Sequence, residues 1–159
     1  MPKRSVAAAL VVFAACASVS AVAAGPSPFV GEWHWNRAES QGAPEEEPPR
    51  EMVLNITSAE RAKVAWTLTV VDDKGERHVQ DFSGTGDGKP SAVSGTTDGS
   101  TVAFTVTPTS FDSVASSPDG DTDKASCTLS ADHKKMTCHG TESDGKGHAA
   151  AYVDVYDRK

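Results

Sequence analysis

Beyond its first two dozen residues the chain alternates between apolar and polar positions. Trp33 and Trp35 share one face of a first strand predicted over Phe29 to Asn36. Met52, Leu54 and Ile56 share a face of a second over Arg50 to Thr57, and Val64, Trp66, Leu68 and Val70 a face of a third over Ala62 to Val71. A period of two sends successive side chains to opposite sides of a pleated strand; no segment keeps the period of an amphipathic helix. Further strands are predicted at Arg77–Ser83, Val93–Thr97, Thr101–Thr107, Ser110–Ser116, Lys124–Leu129, Met136–Ser143 and His148–Tyr156.

The connectors carry turn chemistry: Asp72-Asp73-Lys74-Gly75, Gly86-Asp87-Gly88-Lys89, Thr97-Asp98-Gly99, Pro118-Asp119-Gly120 and Ser143-Asp144-Gly145-Lys146. Asp and Gly accept the backbone conformations that tight hairpins demand. Regular hairpins make sequence neighbours into antiparallel space neighbours, and closing such a meander removes its exposed edges. The predicted fold is therefore all-β, an antiparallel up-and-down meander barrel of about eight to ten strands. Gln41 to Pro49 (QGAPEEEPP) cannot join a ladder and is predicted as a surface loop, placed where it can cap a barrel mouth.

The N-terminus is of another kind. Lys3 and Arg4 precede an apolar run from Ala7 to Ala15, and small residues then offer cleavage before Ala24 or before Gly25. This is the layout of a secretory signal over residues 1–24, leaving 25–159 as one domain and predicting a periplasmic or secreted protein. No later stretch is apolar enough for a membrane-spanning helix. Cys16, after Phe13-Ala14-Ala15, leaves a lipid anchor open as a minor alternative.

With Lys3 and Arg4 removed, 13 basic residues face 22 acidic ones, a net charge of −9. A surface this acidic opposes binding to nucleic acid and to anionic lipid. Cys127 and Cys138 remain as an even pair, which an oxidising compartment joins. The segment between them reads as a hairpin turning at Ala131–Lys134, and folding it symmetrically sets Cys127 directly across from Cys138.

Phe29-Val30-Gly31-Glu32-Trp33-His34-Trp35-Asn36 with Glu39-Ser40 resembles the opening of small secreted bacterial proteins with lipocalin-like barrels. The likeness continues through Asp87-Gly88-Lys89-Pro90, Val93-Ser94-Gly95, Leu129-Ser130-Ala131-Asp132, Lys135-Met136-Thr137, Gly140-Thr141 and Asp144-Gly145-Lys146, and ends at Val153-Asp154-Val155-Tyr156-Asp157. It implies an up-and-down barrel of the broad calycin type and a small apolar ligand, but no reaction. Trp35 in place of a Leu, His133 in place of a turn Gly, and the Cys127–Cys138 pair depart from the pattern.

No catalytic constellation is legible, so the chain is read as a non-enzyme that takes no cofactor. His34, His78, His133, His139 and His148 are scattered without metal-ligand spacing. Asp119-Gly120-Asp121-Thr122-Asp123 imitates half a calcium loop, but Lys124 replaces its Gly and Ser130 its closing Glu. Ser83 to Pro90 fails as a phosphate loop, lacking its first Gly and its hydroxyl. What remains is an apolar set. Trp33, Trp66, Phe82, Phe104 and Phe111 are the candidate ligand-binding residues, and Trp35 a plug at one end. Strands Val93–Thr97, Ser110–Ser116 and His148–Ala151 are rich in Ala, Ser and Thr, whose small side chains leave a barrel partly unfilled. The reading is a barrel binding a small, mainly apolar ligand. The alternative is a filled barrel acting on a protein partner through its loops, for example as an inhibitor, with an unseen active site in third place.

Overall fold

The computed structural model describes residues 25–42, 48–95 and 99–159. The signal segment with Cys16, the Glu run of the Pro-rich loop, and Thr97-Asp98 lie outside the described residues. The strands are β1 (Gly31–Trp35), β2 (Glu51–Ala59), β3 (Val64–Val71), β4 (Arg77–Gly84), β5 (Asp87–Ser94), β6 (Thr101–Val106), β7 (Phe111–Ser116), β8 (Thr122–Leu129), β9 (Lys135–Ser143) and β10 (Ala149–Arg158).

Every strand pairs antiparallel with its sequence neighbour, and β1 also pairs with β10, so the ten strands close into a barrel. The predicted class, all-β and an up-and-down meander, is the observed one. Alternation decides which side chains point inward: Trp33 and Trp35 on β1, Trp66 and Leu68 on β3, Phe104 on β6, Phe111 on β7. Closure satisfies the backbone groups that an open edge would leave bare. Among the described residues no helix is long and apolar enough to cross a membrane.

The barrel is solid at one end. Phe29, expected in the first strand, instead precedes it and turns inward, fully buried against Phe111 with ring centroids 5.8 Å apart. Trp33 is equally buried, and its indole N–H donates to the Phe29 carbonyl at 2.9 Å. Arg158, the last residue of β10, ties this end together. Its guanidinium lies 4.1 Å from the Trp33 ring centroid and donates to the carbonyls of Val30 (2.7 Å), Pro28 and His133 (2.7 Å). Ile56, Val64 and Met136 complete the packing. A bulge between Ile56 and Ser58 in β2 lets the strand continue to Ala59, which is also buried.

The fifth strand differs from expectation. Gly86 to Lys89 was predicted as a turn and Val93–Thr97 as the strand; the strand runs from Asp87 to Ser94, and the turn contracts onto Thr85 and Gly86. A register shift between Asp87 and Pro90 absorbs the proline, which has no N–H for a ladder. The Asp87 carboxyl accepts from Thr85 Oγ1 and pairs with Lys89 at 2.8 Å, which holds it down to a pKa of about 2. Gly86 closes the solid end, donating to the Arg61 carbonyl and accepting from Val106 N. A Cβ there would sit 2.6 Å from the Glu60 carbonyl oxygen, so the approach needs glycine.

Cys127 and Cys138 are directly paired in the β8–β9 ladder, Cα atoms 3.9 Å apart, and are joined by a disulfide. The turn of that hairpin places His133 at φ 55°. Such a left-handed conformation favours glycine, so a histidine there is held by the turn.

Candidate functional site

Aromatic rings form a continuous floor above the solid end. Trp66 stacks on Phe82 (5.5 Å between centroids, 14° between planes), Phe82 meets Phe104 edge-on at 4.9 Å, and Phe104 packs on Phe111 at 4.8 Å. Cross-strand neighbours bring them together: Trp66 is the direct partner of Phe82 in the β3–β4 ladder. Above this floor lies a cavity of about 400 Å³, within the range that encloses a small organic ligand.

The five expected ligand-binding residues divide. Trp66, Phe104 and Phe111 line the cavity. Trp33 and Phe82 do not line it: Trp33 is sealed in the solid end beneath Arg158, and Phe82 lies behind the Trp66 ring. Alternation alone gave both the right face but not the height along the barrel. Trp35 lines the cavity rather than stopping it, its indole N–H held 2.7 Å from the Asp154 carboxyl. The walls include Leu54, Leu68 and the Cys127–Cys138 bond. Space is left by small inward residues, Ser113 and Ala115 on β7 and Ala125 on β8. Gly42, Pro48 and Pro49, the flanks of the Pro-rich loop, border the same space.

Sequence reasoning missed the polar part of this lining. Asp123, Glu142 and Asp154 form an acidic collar along the adjoining strands β8, β9 and β10, with Asp154 in the same ladder row as Cys138, Cys127 and Phe111. Asp123 and Glu142 are direct ladder partners. Tyr152 donates to Asp123 at 2.7 Å, and Tyr156 donates to Met52 Sδ at 3.7 Å. Burial raises the pKa of both phenols, so each hydroxyl keeps its proton and serves as a donor. Burial likewise raises the Asp154 carboxyl above its ordinary value, against the lowering effect of the Trp35 bond.

Gly140 makes this arrangement possible. It is the ladder partner of Tyr152, and a Cβ on Gly140 would collide with the Tyr152 ring. A sequence signal for the collar existed: Tyr152, Asp154 and Tyr156 alternate, so an inward Tyr156 requires an inward Asp154.

Outside the collar the cavity widens into a vestibule of about 810 Å³ that shares Ala115, Asp123 and Glu142 with it and adds Asp121, Asp144 and His148. The resemblance to half a calcium loop dissolves here. Asp123 is the second residue of β8 and faces the barrel interior, while Asp121 belongs to the turn closed by Ser117. His78, read as an isolated histidine, stands with Asp72 and Glu76 in a group whose candidate ligand atoms lie within 4.8 Å of one another. Asp72 Oδ1 there accepts from the backbone N–H groups of Lys74 and Glu76, so the carboxyl shapes the hairpin turn.

No protein-family model and no curated protein matches the chain. Among solved structures it is similar to a redesigned β-barrel, at 12% identity and a TM-score of 0.52, over 84% of this chain and 93% of that one. It is also similar to EF1p2_mFAP2b bound to DFHBI, at 11% identity and a TM-score of 0.50, over 83% of this chain and 94% of that one. Likeness at this level of identity is a likeness of fold. Together with the cavity it defines the class: a closed ten-stranded antiparallel barrel, solid at one end and hollow toward the other.

Proposed function

We propose that this protein is an exported lipocalin-like barrel that binds a small, mainly apolar molecule in its interior. The observation that carries the reading is the cavity of about 400 Å³ floored by Trp66, Phe104 and Phe111 in a barrel whose other half is densely packed. A protein acting only through its loops has no need of hollow space, because an unfilled core forfeits packing energy. The ligand of EF1p2_mFAP2b is a precedent for a small molecule held by a protein of this fold. The Cys127–Cys138 bond supports export, since such bonds persist in oxidising compartments. Binding, rather than catalysis, accounts for the site without any reacting group being assigned.

The test is quenching of tryptophan fluorescence by a panel of fatty acids and retinoid-like molecules. Trp35 and Trp66 both border the cavity, so a bound ligand changes their emission. Ala125→Phe, which fills the space from β8, should abolish the response while leaving the circular dichroism spectrum intact. A response that survives in Ala125→Phe would place binding elsewhere and end the proposal.

A further inference from the structure

Resting on the cavity-binding reading above, we infer that Gln80, with Ser113, is the polar anchor of the cavity. The molecule it selects carries an uncharged hydrogen-bonding group, a carboxamide, lactam or hydroxyl, on an apolar body.

Gln80 breaks the pattern that builds the barrel interior. One row of the sheet runs from Trp33 on β1 through Leu54 on β2 and Leu68 on β3 to Gln80 on β4, each the direct partner of the next. The first three turn apolar side chains inward, and Gln80 brings a carboxamide to the wall that Leu54 and Leu68 share. It stands one inward position along β4 from Phe82, whose ring is stacked on Trp66. Ser113 repeats the exception on β7. It is the direct partner of Phe104, one inward position from Phe111, and it sets a hydroxyl beside those two rings of the floor. A polar residue at a core-facing position costs stability unless its groups are bonded, and departures of this kind gather at functional sites.

The other polar side chains of the strand walls have partners within the protein. Tyr152 donates to Asp123, Trp35 donates to Asp154, Tyr156 donates to Met52 Sδ, and Glu142 is engaged as well. Among the described residues the Gln80 amide and the Ser113 hydroxyl meet no such partner, although both side chains are half-buried. In a mostly apolar pocket a few free polar groups are what orient a ligand. The Gln80 amide offers a donor and an acceptor side by side, and the Ser113 hydroxyl both donates and accepts. A carboxamide or lactam edge answers Gln80 in both directions, which neither a hydrocarbon nor a carboxylate does. A carboxylate would also enter without a counter-charge, since among the described residues no Lys, Arg or His lines the cavity.

Three probes of one apolar body test the anchor: 1-pyrenecarboxamide, its shape-matched hydrocarbon 1-isopropylpyrene, and 1-pyrenecarboxylate, titrated against the full mature protein by pyrene fluorescence. In Gln80→Leu the carboxamide should lose about five- to ten-fold in affinity while the hydrocarbon loses none, a coupling that the two probes and two proteins together isolate. Ser113→Ala should cost the carboxamide about two- to three-fold by the same comparison. The carboxylate should bind the wild type more weakly than the carboxamide. Leucine continues the apolar row, and Gln80→Met, of similar length, serves as a second variant if Gln80→Leu does not fold. If neither variant separates carboxamide from hydrocarbon, if the carboxylate binds the more tightly, or if the carboxamide fails to bind, the anchor is overturned, while a response to the apolar panel keeps the cavity-binding reading standing. Silence of all three probes and of tryptophan emission across that panel would remove both.

Discussion

Arg158 is the residue on which the solid end of the barrel depends, and Arg158→Ala measures how much. Its guanidinium donates to the carbonyls of Val30, Pro28 and His133 and stacks on Trp33. These contacts join three separate pieces: the segment before β1, the β8–β9 turn, and the end of β10. A hydrogen bond from a charged donor contributes about 1.5–3 kcal/mol net. The bonds to Val30 and Pro28 are partly buried, whereas the His133 bond is exposed and is discounted. The contact with Trp33 adds about 0.5–2 kcal/mol. Loss of the side chain returns the freed carbonyls partly to water, so the expected cost is about 3 kcal/mol, just below the low end of the gross sum. For a domain of this length that lowers Tm by about 10 °C.

Urea denaturation gives the free energy, and near-ultraviolet circular dichroism reports the order around Trp33. Two further variants divide the effect. Arg158→Met keeps apolar packing over the indole and should recover at most about 1 kcal/mol. Arg158→Lys keeps the charge but cannot serve three carbonyls from one planar fork, so it should stay destabilised by about 2 kcal/mol. If Arg158→Lys matched the wild type, or Arg158→Ala cost less than about 1 kcal/mol, the tie between these three pieces would be energetically idle and the reasoning refuted.

Other expectations follow from particular contacts. Cys127→Ala with Cys138→Ala should cost about 2–3 kcal/mol in urea denaturation, because the bond closes a short loop that the turn already pre-forms; reduction of the wild type should give a similar loss. Gly140→Ala forces the Tyr152 ring away from its strand partner and breaks its bond to Asp123, so it should cost about 1–3 kcal/mol in urea denaturation; unaltered stability would show that the ring has room to move. His148 is bonded to Asp144, which raises the imidazole above its ordinary 6.5 and lowers the carboxyl from 3.8 to about 2. The histidine's contribution is fully present below pH 6.5 and is lost as pH rises through its raised folded value; the carboxylate's is present above 3.8 and is lost as pH falls toward 2. An NMR titration of His148 should show its midpoint falling in Asp144→Asn, and an unchanged midpoint would dissolve the pair.

Alternation, turn residues and an even cysteine pair determined the class of fold without help from the third dimension. Each is a local property: a period of two fixes which side of the sheet a side chain takes, and Asp-Gly turns fix antiparallel neighbours. The pairing of Cys127 with Cys138 was legible for the same reason, since both lie in one hairpin and its turn sets their register. The fifth strand was misplaced where local signals conflict. Gly88 and Pro90 read as turn residues, yet a register shift accommodates them inside β5.

The height of a side chain along the barrel axis was not legible. It follows from strand tilt and from the stagger accumulated around ten strands, which no local pattern records. That is why Trp33 and Phe82, correctly assigned to the inner face, lie in the packed end or behind Trp66 instead of on the cavity wall. The acidic collar was hidden for the same reason. Asp123, Glu142 and Asp154 are ordinary polar residues in their own strands, and only the register of β8, β9 and β10 turns all three toward one cavity.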